Sequence, residues 1–232
     1  MLRRVACGWL VASLCGGWLA QADGVAGSLI VRLGTTDRLP ESARQVMLAE
    51  AERLWTSAGL RLVWQLSSPE PETTAASSQP AVAAPLRVIV VERAPAASSD
   101  AAGSWTVGQL LPFDTGASVD DRALAIVSIA AARRVVEAGR RAGEPDARAT
   151  HRLGMVLGRT LAHEIGHYVL GTRTHARRGL MRGRIAPDEF ADLRYGGFTL
   201  DGDARDWLRQ RWSRLGPAFP PAARTGFSYP AR

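Results

Sequence analysis

Three of the four histidines in this chain, His163, His167 and His175, fall within thirteen residues, and the first two bracket a glutamate in the run His163-Glu164-Ile165-Gly166-His167. That spacing calls for a helix. Residues four apart on an α-helix share a face, with Cβ atoms about 5 to 6 Å apart, so the two imidazoles can turn toward one ion. The residue after the first histidine lies on the flank of that face. From there Glu164 can reach a water at the ion without becoming a ligand, which suits a general base. A catalytic zinc takes three protein ligands, with bonds of about 2.0 to 2.1 Å to imidazole nitrogen, and leaves a position open. A third ligand is therefore expected close to the end of the helix. Gly171 can adopt the left-handed conformation that stops a helix and turns the chain back, which makes His175 the first candidate. If His175 is only a loop residue, the nearest alternatives are Asp188, Glu189 and Asp192. His151, three turns upstream, reads as solvated.

The stretch resembles the signature of the metzincin clan of zinc peptidases, His-Glu-x-x-His-x-x-Gly-x-x-His followed by a methionine turn. Here the first five positions stand as HEIGH, a glycine and a histidine follow, and Gly179-Leu180-Met181 is similar to the methionine turn. Gly171 follows His167 by four residues and His175 follows it by eight, against three and six in the clan, so the connecting turn is two residues longer. The resemblance implies an α+β, zincin-like fold: a mixed twisted sheet of about four to five strands, a long active-site helix and a C-terminal helical part. It also implies Zn2+ as cofactor, a peptide or protein as substrate, and Met181 beneath the metal. The chain is similar, too, to uncharacterised exported bacterial proteins regarded as metzincin-like proteases. The alternative of another class is a non-catalytic, zinc-stabilised basic binding protein of the cell envelope. Glu164 separates the two, because a structural zinc closes its fourth position with protein and needs no carboxylate between its histidines.

Composition narrows the setting. The sequence contains no lysine and no asparagine, so all 29 basic residues are arginine, as strongly GC-rich bacterial coding would produce. The net charge of +7 is spread without long runs or interleaved aromatics, which favours a solvated basic surface over a nucleic-acid site. Arg3 and Arg4, the apolar stretch Val5 to Leu19 and the small-x-small Ala20-Gln21-Ala22 read as a signal peptide over 1–22, implying a periplasmic or secreted protein with no stable membrane span after cleavage. Cys7 and Cys15 both lie in that leader, so the mature chain must fold without disulfides and has no cysteine nucleophile.

The remainder, 23–215, reads as one domain. Strands are expected at Ser28 to Leu33, Leu60 to Leu66, Leu86 to Glu92 and Arg122 to Ile129. A helix from Pro40 to about Ala58 places Val46, Ala49, Arg53 and Leu54 at helical spacing, and a short helix covers Ala130 to Ala138. Asp146 is expected to cap the long helix that ends near Leu170, and Asp203 to cap the last one, Ala204 to Leu215. A flexible, low-complexity insertion is expected over 67–85, a Gly-rich loop over Gly103 to Gly116 and an irregular Pro-rich tail over 216–232. The acidic run Asp201 to Asp206 lacks the glycine and terminal glutamate of a calcium loop, so helix capping is the better reading. The tryptophans read as core, and Tyr168 and Tyr195 offer phenols that could steady a tetrahedral intermediate.

Overall fold

The structure, a computed structural model, describes residues 27–35, 38–67, 86–93, 106–111, 123–194 and 196–215. The expected leader, nearly all of the expected insertion, most of the Gly-rich loop, Tyr195, Trp105 and the tail lie outside the described residues.

Five strands form one mixed sheet. They are β1 (Gly27–Thr35), β2 (Leu60–Ser67), β3 (Leu86–Val91), β4 (Gly108–Leu111) and β5 (Leu124–Ser128), in the spatial order β2-β1-β3-β5-β4. The first four neighbours in that order run parallel and β4 closes the edge antiparallel to β5. Parallel neighbours need a crossover, and α1 (Glu41–Thr56) supplies it between β1 and β2. The alternation of β1 buries Leu29, Val31 and Leu33, and its register sets Val31 against Leu86 and Leu33 against Val88, so one continuous apolar face results.

Helices cover that face. The 25-residue α3 (Asp146–Leu170) lies beside α1 and reaches β4 and β5. Gly154 and Gly158 let the two helices meet: a Cβ on Gly154 would stand 2.6 Å from the Ala43 carbonyl oxygen, and one on Gly158 would stand 2.6 Å from that of Met47. The buried side of α1 is Ala43, Met47, Glu50, Ala51, Leu54 and Trp55. Of the four residues at helical spacing, Leu54 is buried and Val46 half-buried, while Ala49 and Arg53 are exposed. Trp55 is fully buried, while Trp64 and Trp207 are half-buried against the core.

The short α2 (Ile129–Ala138) is capped by Ser128, whose hydroxyl accepts from the Ala131 amide. Two elements were not foreseen. β4 falls within the expected Gly-rich loop; its four residues are all half-buried, so no alternation marks them, and pairing to β5 makes it a strand. α4 (Pro187–Ala191) is a single turn with proline near its start. Two caps also shift. Pro145 takes the cap position of α3, with Asp146 in the first turn, and α5 (Gly202–Leu215) is capped by Asp201, whose carboxylate accepts from the Ala204 amide at 2.8 Å, rather than by Asp203.

Candidate metal centre

The imidazoles of His163, His167 and His175 come together at the carboxyl end of α3, each offering a ligand nitrogen, with these atoms within 4.8 Å of one another. Ring centroids are 4.6 to 5.2 Å apart, and His175 stacks on His163 at an interplanar angle of 19°. Gly171, at φ 62°, ends the helix in the left-handed region, and the Thr172 amide donates back to the His167 carbonyl. The turn is two residues longer than in the signature the sequence resembles, yet it still carries His175 to the other two rings. Gly183 makes room beneath that ring, since a Cβ there would stand 2.7 Å from its Cγ.

Each helical histidine is oriented by a backbone carbonyl. His163 Nδ1 lies 2.8 Å from Leu180 O and His167 Nδ1 lies 2.8 Å from Thr172 O, so each ring donates through Nδ1. The two Nε2 atoms then face each other at 3.0 Å. A tetrahedral ion bound at about 2.0 to 2.1 Å would hold two such nitrogens about 3.4 Å apart, so the donor set fits a zinc-sized cation. Burial lowers the pKa of all three imidazoles, that of His163 to about 4, which keeps them in the neutral form that ligates.

Glu164 is buried on the flank of this face. Burial pushes its carboxyl up to about 8, and a hydrogen bond from the Leu110 backbone of β4 works the other way. β4 comes this close because residue 108 is glycine; a Cβ there would stand 2.7 Å from Glu164 Oε1. Met181 lies buried under the helix, its thioether occupying the space a side chain at residue 166 would need, and Trp55 donates to the Ala162 carbonyl at 3.1 Å on the same side. Leu180 and Met181 therefore act together, one through its carbonyl on His163 and the other through packing.

No family model matches the chain, and no curated protein matches it either. Among solved structures it is similar to the archaemetzincin AmzA of Methanopyrus kandleri, with 14% identity, a TM-score of 0.46 and coverage of 84% of this chain and 99% of that one. The reading of the centre rests on its own geometry.

The carboxylates weighed as alternative third ligands are not part of the cluster. Glu189 pairs with Arg182 at 2.8 Å, and Asp188 and Asp192 line a different cavity beside Arg141, Arg148 and Arg152. His151 is exposed, and Tyr168 is half-buried against the core. The groups that orient the centre, Leu180 O, Thr172 O and the Leu110 amide, are backbone atoms, and no side-chain pattern announces them.

Proposed function

We propose that this chain is an exported, zinc-dependent endopeptidase. The observation that carries the reading is the meeting of three imidazoles with the buried carboxylate of Glu164, next to His163 on the same helix. His163, His167 and His175 would hold the metal, and Glu164 would serve as general base. Zinc bound there supplies Lewis acidity, which activates water and polarises a peptide carbonyl. Glu164, as the carboxylate, would take the proton of that water and pass it to the leaving amine. Leu110 orients the carboxylate, while Leu180 and Thr172 hold the Nδ1 side of His163 and His167 and so leave Nε2 to ligate. Met181 supports the helix from beneath.

Export is read from residues 1–22. No helix among the described residues is long and apolar enough to cross a membrane.

Purified protein is expected to bind about one zinc and to cleave an unstructured protein substrate. Glu164→Gln should keep the metal and lose at least about a hundredfold in turnover. Cleavage that survives this substitution overturns the mechanism. Bound zinc without cleavage in the wild type supports the non-catalytic binding protein instead.

A further inference from the structure

The turn that completes the metal centre is also the most cationic part of the chain. From Ile165 to Pro187 there are five arginines, Arg173, Arg177, Arg178, Arg182 and Arg184, and no aspartate or glutamate. The other 24 basic residues nearly balance the 22 acidic ones, so most of the net charge of +7 is concentrated here. All five lie within nine residues of His175, whose side chain is exposed. Arg173, Arg177 and Arg178 are two or three residues from it in sequence, and Arg182 and Arg184 flank Gly183, which packs directly beneath it. Arg182 pairs with Glu189. Arg173, Arg177, Arg178 and Arg184 are exposed, and none of them makes an ion pair among the described residues.

Resting on the peptidase reading above, we propose that the site selects acidic peptides, with Arg173, Arg177, Arg178 and Arg184 recognising aspartate and glutamate side chains near the scissile bond. These guanidiniums lie on the same turn as His175, and each offers a planar fork matched to carboxylates. Two other polyanions fit less well. Bases would need aromatic platforms, and Tyr168 is the only aromatic side chain besides the histidines between residues 165 and 187. A lipid surface would need apolar side chains to insert, yet the exposed large hydrophobics among the described residues, Val63 and Leu66, lie on β2, the sheet edge opposite β4. Each exposed pair strengthens binding only a few-fold and is screened by salt, so several acting together should give about a tenfold preference that fades as ionic strength rises.

The test uses the zinc-loaded full chain carrying Glu164→Gln, so that binding is read without turnover. Anisotropy titrations compare dye-labelled unstructured peptides that differ only in acidic or neutral residues, at low and high salt. The acidic peptide is expected to bind about tenfold tighter at low salt. That margin should vanish near 1 M salt and in Arg177→Glu/Arg178→Glu, with the milder Arg177→Gln/Arg178→Gln intermediate and the melting temperature unchanged. Equal binding of the two peptides overturns the proposal, as does a preference that survives the double charge reversal. Binding to phosphatidylglycerol vesicles with no preference between the peptides overturns it in favour of a membrane surface. The peptidase reading fails separately, if wild-type protein binds the acidic peptide with this margin but cleaves nothing.

Discussion

Arg152 and Arg159 lie inside the protein on α3, whereas Arg173, Arg177, Arg178 and Arg184 stand exposed on the turn around His175. The inner pair is held by several partners. Arg159 Nε donates to Glu50 at 3.1 Å and Nη1 to the Phe190 carbonyl at 2.6 Å, with the Phe198 ring centroid 4.4 Å from its Cζ. Arg152 donates to the carbonyls of Ala191 and Gly139 and to Glu144. Both therefore grip the last carbonyls of α4, groups a helix end leaves without partners. The α4 turn and Phe198 are thus fastened to the helix that bears His163 and His167. The outer set has no such partners among the described residues. The contrast shows one residue type doing two jobs: a guanidinium taken out of water must be fully bonded and then fixes structure, while one left in water adds charge at little cost to stability.

The largest expected effect tests the inner set. Arg159→Met leaves the buried Glu50 carboxylate with Arg53 alone and frees the Phe190 carbonyl, and should cost about 3 kcal/mol in urea unfolding of the metal-free protein. Adding Glu50→Leu should recover part of that loss. Arg178→Ser, in the outer set, should change stability by less than about 0.5 kcal/mol. A similar loss at both positions would erase the distinction.

Glycines extend the comparison. Gly158→Ala forces α1 and α3 apart and should lower stability by about 2 kcal/mol, measured the same way, with zinc affinity little changed. Gly183→Ala instead displaces the His175 ring, and isothermal titration should show zinc affinity roughly tenfold weaker at nearly constant stability.

The smallest effect is a pH dependence of the inner set. Burial raises the pKa of Glu144, but the Arg141 amide and the Arg152 and Arg148 guanidiniums lower it further, leaving it below the ordinary carboxylate value. A group depressed in the folded state contributes stability above its unfolded pKa of about 4.5 and loses it as the pH falls through the folded one. Glu144→Gln should therefore flatten the acid limb of the stability curve below about pH 4.5. An unchanged limb would show that the Arg152 to Glu144 pair adds nothing.

Much of the frame was legible in the residues. β1, β2, β3, β5, α1, α2 and α3 match their expected places within a few residues, because aliphatic alternation and long helical runs are local signals. The core side of α1 was not legible, since it includes the polar Glu50, which the guanidiniums of Arg159 and Arg53 make tolerable. β4 and α4 were missed because pairing to β5 and capping by α3 arginines, rather than their own sequences, define them.

The sequence by itself determined that His163 and His167 share a helix face with Glu164 beside them, since four-residue spacing and a fixed helical pitch leave no other arrangement. Whether His175 or a carboxylate joined them was a question of how a turn folds back, which no spacing decides. Only the tertiary structure set Glu164 under the Leu110 amide, held His163 through Leu180 and brought His175 over Gly183. Those contacts join residues distant in the chain through backbone atoms that every residue carries alike, and such atoms leave no mark in a sequence.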